Sequence, residues 1–369
     1  MQADQYDFTK QRTMSEIFKK AKNHFAKKLP FAVYCKPNSN KVIALFQKND
    51  TLFSLDNSEI SGFAFASFDG KSNQIIPENE SDIYFELYNQ SDFYLVNSDA
   101  SFAEELIISE KNIFENLVAK AIDKIKYGAF EKVVVSRKIE LKIDGLDIEL
   151  IFNKLLFHYP SALKSVFYHP QIGLWIGASP EQLFKIENEI LNTVSLAGTQ
   201  LFEKNKIPVW HQKEQQEQQI VTDFITQKLQ SIANNVTVSK PYSHKAGNLI
   251  HLKTDLEAKL KPDFSIFEIS KILHPTPAVC GFPKSDAQRF ILENEDYDRQ
   301  FYSGFLGEWN KDLSTFTKHN TDLFVNLRCM KIEKNIVSIY AGCGVTKDSN
   351  PEKEFLETQN KMKTILAVL

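Results

Sequence analysis

The stretch Glu131–Leu141 (EKVVVSRKIEL) constrains the fold more than any other in this chain. Val133, Val134 and Val135 put apolar side chains on both faces, as a strand covered on both sides requires. Alternation places Lys132, Val134 and Ser136 on one face, and Val133, Val135 and Arg137 on the other. Lys132 therefore either begins the strand and reaches back to water or shares the desolvated surroundings of Val134. Desolvation favours the neutral amine, the form in which a lysine acts as a base.

At 369 residues the chain is long enough for a sizeable core. Hydrophobic residues make up 43%, charged residues 25%, and the net charge is −3. Charges of both signs are interspersed and no long basic run occurs, which argues against a nucleic-acid binder. No window holds 18 uninterrupted apolar residues, so no membrane span is expected. The opening MQADQYDFTKQ lacks the apolar region of a signal peptide. Cys35, Cys280, Cys329 and Cys343 show neither CxxC spacing nor the density of a disulfide framework. A cytoplasmic location is the expectation.

Helical spacing predicts helices over 12–28, 111–127, 147–158, 209–232, 264–273 and 285–294, and another from Pro351 onward, where Asn350 suits the cap. Strand patterns occur at 31–36, 42–47, 62–68 and 83–87, with the polar stretch 70–82 read as a surface loop. Beyond Lys132 they recur at 164–169, 172–177, 182–188, 190–195, 248–257, 303–310, 321–332 and 335–342. Strands outnumber helices and run in groups, which predicts an α+β fold of large sheets with peripheral helices. No linker or repeat divides the chain, so 1–369 reads as one domain.

Several charged residues stand where apolar ones would be expected. Extending the stripe Ile220, Val221, Phe224, Ile225 and Leu229 backward brings Glu214 and Glu217 onto the same helix face. Glu354 and Glu357 form another acidic pair on the last helix, where Glu357 also suits an ion pair with Lys361. Carboxylates from two helices, offering oxygen alone, suit Mg²⁺ completed by water and substrate oxygens. Glu181 follows a glycine-containing turn in GASPEQLF. Arg328 lies within the apolar run FVNLRCMKI, where its guanidinium needs a structural partner or a substrate carboxylate. Three prolines in LHPTPAVCGFP exclude regular structure and make a stiff wall. The glycines Gly198, Gly342 and Gly344 suit either tight turns or walls around a ligand. Nucleotide-phosphate motifs are absent.

Taken in order, KVVVSR (132–137), GASPE (177–181), SLAGT (195–199), EQQIV (217–221) and HPTPAVCGFP (274–283) resemble the chorismate-utilising enzymes. YDRQFYSGFLGEW (297–309), NLRCMKI (326–332), AGCGV (341–345) and PEKEFLETQNK (351–361) continue the series. The resemblance runs from about residue 120 to the end. It leaves 1–110 as a divergent N-terminal part beside a motif-bearing catalytic part, 111–369. It implies a single large domain of two packed β-sheets with helices outside and the active site between them.

The resemblance also implies roles. Lys132 matches the base of the water-using members, where ammonia-using synthases carry glutamine. Glu181 matches the acid. Ala197 stands where aminodeoxychorismate synthases place a nucleophilic lysine. Glu217 and Glu357, with Glu354 nearby, match ligands for Mg²⁺. Arg328, helped by backbone amides around Gly342–Gly344, matches the group that receives the enolpyruvyl carboxylate. Gly198 and Thr199 match one wall, while His274 and Tyr302 match pocket-lining positions. Gln218 departs from the family, which often has histidine there. The implied activity is isochorismate synthase, an isomerase that adds water at C2 of chorismate and expels the C4 hydroxyl. Salicylate synthase, anthranilate synthase component and an inactive binding subunit are the alternatives; Val279 and the HPTPA segment look more like the enzymes that stop at isochorismate. The partner would be chorismate alone, with no glutaminase subunit, in a monomer, and the product would feed menaquinone or siderophore synthesis.

Overall fold

The computed structural model describes residues 15–56, 59–88, 110–201, 204, 208–246, 249–262 and 264–369. The N-terminal third runs through α1 (Glu16–Ala26), β1 (Phe31–Cys35), β2 (Lys41–Gln47), β3 (Phe53–Ser54), β4 (Gly62–Ala66), β5 (Asn73–Pro77) and β6 (Ser81–Leu87). Next come α2 (Lys111–Lys126), β7 (Lys132–Lys142), α3 (Ile148–His158), β8 (Leu163–His169), β9 (Gly173–Ser179), β10 (Gln182–Glu187) and β11 (Ile190–Leu201). They are followed by α4 (Gln212–Ile232), β12 (Ala233–Val238), β13 (Tyr242–Ala246), β14 (Leu249–Leu260), α5 (Ile266–Leu273), β15 (Gly281–Phe282) and α6 (Lys284–Asn294). The chain ends with β16 (Phe305–Trp309), β17 (Lys311–Asp312), β18 (Thr317–Lys318), β19 (Thr321–Val325), β20 (Cys329–Glu333), β21 (Ile336–Val345) and α7 (Pro351–Leu366).

Two large antiparallel sheets result. The first has nine strands in the order β15-β7-β21-β20-β9-β8-β1-β2-β6. The second has ten, β12-β14-β11-β10-β19-β16-β4-β5-β3, with β13 also on β14. Their facing sides share a core in which Phe65 stacks between Phe167 (4.3 Å) and Phe301 (4.4 Å). Helices close the outer faces: α1, α2, α3 and α7 over the first sheet, α4 and α5 over the second. This is the α+β arrangement expected, and the divergent N-terminal strands are shared between both sheets.

β7 alternates as the sequence predicts. Val133 and Val135 enter the core beneath the helices, and Arg137 donates to the Thr358 hydroxyl of α7 at 2.8 Å. A buried polar clamp ties the sheets at the other end. The Tyr34 hydroxyl of β1 donates to Glu308 of β16 at 2.6 Å, and Lys36 pairs with both Glu308 and Asp312. Burial pushes the Glu308 carboxyl up to about 7 despite these partners. α7 begins as its sequence suggests, with the Asn350 side chain accepting from Lys353 N and Pro351 in the first turn.

Two expectations need correction. Residues 70–82 are not wholly loop: β5 pairs with β4 and buries Ile75 and Ile76. The expected strand 321–332 breaks at Asn326–Arg328, with β19 in the second sheet and β20 in the first. Both halves are apolar because both lie between packed layers, so the change of sheet leaves no break in hydrophobicity. The strands β12 and β13 were not anticipated, since their residues are mostly exposed.

Phe65→Ala removes a ring stacked on both faces. It should lower the unfolding free energy by about 3–5 kcal/mol, read from the shift of a denaturant midpoint at unchanged slope.

Candidate active site

The chain passes between the sheets at two adjacent places. Pro180–Glu181 joins β9 to β10, and Asn326–Arg328 joins β19 to β20. Two backbone hydrogen bonds lock them side by side: Val325 N donates to Glu181 O (2.9 Å) and Ala178 N to Arg328 O (3.0 Å). The Gln182 amide also donates to Asp322 of β19 at 2.7 Å. Arg328 adopts a left-handed backbone, φ 47°, uncommon for a residue with a side chain. Glu181 and Arg328 thus arrive at one point without either lying in a strand.

Burial pushes the Glu181 carboxyl up to about 7, against the opposing pull of Lys132, Lys361 and Arg328. A large share of Glu181 is therefore protonated near neutrality, although part of its surface remains open. Burial lowers the affinity of the Arg328 guanidinium for its proton, while Tyr302, Glu357, Glu181 and Tyr159 act the other way. These shifts place one acid, one arginine and two lysines within mutual electrostatic reach.

Lys132 does not reach back to water. It is 2% exposed, and its Nζ lies 2.8 Å from Glu217 Oε1 on α4. Gly344 of β21 covers this pair closely: a Cβ there would stand 3.0 Å from Glu217 Oε1 and 3.2 Å from Lys132 Cε. Two residues earlier, a Cβ on Gly342 would stand 3.1 Å from the Tyr302 hydroxyl. Tyr302 itself is buried and stacks on Tyr340 at 5.2 Å.

Glu357 pairs with Lys361 at 2.6 Å, one turn on, and Lys361 Nζ also donates to Gly342 O at 2.9 Å. Glu354 is buried on the same helix. Burial and the nearby carboxylates of Glu354, Glu357 and Glu217 push the Cys343 thiol far up, so acids of α4 and α7 surround one point of β21. Gly198 stands at a bulge in β11, φ +70°, where glycine is favoured. A Cβ there would meet Glu214 Cβ at 3.0 Å. The Thr199 side chain lies outside the described residues.

Gln218 has a structural task. Its amide, 1% exposed, donates to Thr222 (2.9 Å), Thr254 (2.7 Å) and Ser195 (3.3 Å), seating the first turns of α4 on β11 and β14. His274 is not brought to the cluster by any described contact. Its ring meets Phe305 edge-on at 5.2 Å and lines a separate cleft of about 200 Å³ with Ser270 and Lys284. Burial pulls the His274 imidazole down to about 3, so it is neutral. Sequence reasoning did not assign a site role to Lys361, nor single out His251, whose Nδ1 lies 3.2 Å from Gly198 O. Lys361 had a signal, as it falls within the PEKEFLETQNK motif; an isolated histidine on β14 had none.

Comparison with known proteins gives the chain a family and a fold. The family model described as "Chorismate binding enzyme" matches residues 70–369, and the chain belongs to that family. The match starts well before residue 120, so part of the divergent N-terminal portion belongs to it too. Isochorismate synthase EntC of Escherichia coli K12 is 29% identical over 277 residues, covering 72% of this chain and 69% of that protein. Isochorismate synthase MenF of Bacillus subtilis is 31% identical over 278 residues, covering 72% of this chain and 57% of that protein. The crystal structure of DhbC from Bacillus anthracis superposes with a TM-score of 0.74 at 23% identity, covering 92% of this chain and 96% of that one. Anthranilate synthase component I from Streptococcus pneumoniae shares the fold at a TM-score of 0.67, covering 91% of this chain and 90% of that one at 21% identity. Among the described residues no helix is long and apolar enough to cross a membrane.

Gly344→Ala would press a methyl group onto the Lys132–Glu217 pair. Turnover of chorismate should fall at least about 10-fold while the thermal midpoint stays near wild type, measured by a steady-state assay beside a melting curve.

Proposed function

We propose that this chain is an isochorismate synthase, with Lys132 as base and Glu181 as acid. The observation that carries this reading is a buried lysine and a carboxyl whose pKa burial raises to about 7, converging on one site beside Arg328. Lys132, as the free amine released from Glu217, takes a proton from water as the oxygen attacks C2 of chorismate. The ring double bonds shift, the C4–O bond breaks, and Glu181 gives its proton to the departing hydroxyl, which leaves as water. One water is consumed and one released, so the reaction is an isomerisation.

Arg328 has no described hydrogen bond or ion pair through its side chain, and it suits the enolpyruvyl carboxylate as a bidentate partner. Tyr302, Gly342 and Gly344 would form the wall across from it. Lysine rather than glutamine at position 132 supports water over ammonia as the nucleophile, and so separates this chain from the anthranilate synthases of the family.

Mg²⁺ suits the donor set. Among the described residues no group of three or more His, Cys, Asp or Glu stands ready to hold a metal alone. Mg²⁺ does not need one, since it keeps several waters and accepts one or two carboxylates plus substrate oxygens. Glu217 and Glu357 would hold it, with Glu354 behind them; both outer acids now face lysines that such a cation would compete with. Bound there, the ion would neutralise and orient the ring carboxylate of chorismate.

Incubating the purified protein with chorismate and Mg²⁺ tests the reading by chromatography. Isochorismate is expected. Salicylate with pyruvate and no isochorismate would favour a salicylate synthase, and no turnover would favour a binding subunit. Lys132→Ala and Glu181→Gln should each abolish product formation while the circular dichroism of the folded protein is kept.

The sign of the pH dependence follows from Glu181. Its carboxyl must be protonated to act, so kcat/KM should fall as pH rises through about 7. Because its folded pKa is raised, the protonated form stabilises the fold, and this contribution is lost as pH climbs from the unfolded carboxylate range to about 7. Glu181→Gln should therefore gain stability relative to wild type at pH ~8 compared with pH ~5, measured by paired denaturant titrations. Chelation should abolish turnover. Glu217→Gln should weaken Mg²⁺ binding in calorimetry.

A further inference from the structure

The open edge of β7 is closed by an ion pair. Among the described residues β15 covers this edge only at Lys132 and Val133, with flanking bonds from Glu131 N to Phe282 O at 2.7 Å and from Val134 N to Cys280 O at 2.8 Å. Beyond it, Val134 O and Ser136 N would face away from any described strand. Arg299 and Glu295 take them: Arg299 Nη2 donates to Val134 O at 2.7 Å, and Ser136 N donates to Glu295 Oε1 at 2.7 Å. The Ser136 hydroxyl also donates to Glu295 Oε1 at 2.9 Å and lies 2.7 Å from the Tyr297 hydroxyl. Both charged side chains are 2% exposed, and they meet through Nε–Oε2 at 2.8 Å and Nη2–Oε1 at 2.5 Å.

The same guanidinium holds two further parts. Its Nη1 donates to Val279 O at 3.1 Å, in the proline-rich wall, and its Cζ lies 4.4 Å from the Phe68 ring centroid and 5.9 Å from that of Tyr302. Tyr302 N in turn donates to Arg299 O at 2.8 Å. One buried cation thus spans the strand that carries Lys132, the wall at Val279 and the turn that carries Tyr302.

We infer that Arg299, held by Glu295, is a positioning residue for the reaction, setting Lys132 against the Val279 wall and Tyr302. This rests on the isochorismate synthase reading for its kinetic consequence, but not for its structural one. Arginine is required because the three acceptors lie around one planar fork of donors, whereas a lysine presents a single point. A pair so deeply buried survives only if all its polar atoms are matched, which the β7 edge and the wall achieve.

Arg299→Lys keeps the charge opposite Glu295 and gives up the bridge; Ser136→Ala removes only one hydroxyl and serves as the mild companion. Both are tested as full chains, with Mg²⁺, by steady-state kinetics on chorismate and by amide hydrogen exchange. Expected for Arg299→Lys is a kcat loss of about 10- to 100-fold with KM changed only a few-fold, in a protein that still melts cooperatively. Exchange should quicken at Val134–Ser136 and Thr276–Cys280 while β8 and β9 keep their protection. Ser136→Ala should show faster exchange confined to its neighbourhood. Wild-type kcat in Arg299→Lys, or exchange raised evenly across all strands in both variants, would overturn the assignment. A wild-type protein that leaves chorismate untouched would sink the functional reading, and the exchange pattern would still decide whether Arg299 holds the edge and the wall together.

Discussion

Two backbone hydrogen bonds, Val325 N to Glu181 O and Ala178 N to Arg328 O, hold together the places where the chain changes sheets. Everything chemical in the structure depends on that pairing. A residue inside a strand points along a fixed normal to its sheet, but a residue at a crossing is not held to that direction. Glu181 and Arg328 therefore stand where the chain crosses between the sheets, with a left-handed turn at Arg328 accepted to put it there. The extensive aromatic contacts between the sheets and the Lys36–Glu308 clamp at the other end keep this geometry rigid.

Charge is brought to the same place from three more elements. Lys132 comes from β7 and Glu217 from α4, meeting at 2.8 Å under Gly344, while Lys361 and Glu357 come from α7. Burying so many ionised groups is costly unless each has a partner, and here the lysines and acids supply one another. That matching also explains why substitution of one member should be felt by the rest. Under the proposed reading, a divalent ion held by Glu217 and Glu357 would leave cationic groups in excess, which would suit a substrate with two carboxylates beside Arg328.

Much of this was legible from residues alone. The alternation of EKVVVSRKIEL separated Lys132 from Val133, Val135 and Arg137 without showing which face lay inward, and the 100° spacing on α4 put Glu217 on the face of the apolar stripe. Family order then turned those positions into roles. What remained hidden had physical causes. Arg328 looked like a residue of one continuous strand because hydrophobicity is equal on both sides of a change of sheet. The polar letters around Ile75–Ile76 disguised a short edge-side strand. Glu295 and Arg299 look like any i,i+4 surface pair until their 2% exposure is seen. His274 matches a pocket position by motif, yet its ring packs against Phe305 in a separate cleft. Gln218, the visible departure from the family, binds α4 to the second sheet and leaves Glu217 in place.

The central claim is that Lys132 marks water as the nucleophile, with Glu181 opposite it to release the C4 hydroxyl. The most direct measurement is turnover of unlabelled chorismate with Mg²⁺ in water enriched in oxygen-18, with the product analysed by mass spectrometry and carbon-13 isotope shifts. Isochorismate carrying one solvent oxygen at C2 is the result this account predicts. Isochorismate that keeps only the oxygens of its substrate, or a protein that forms none, would contradict it.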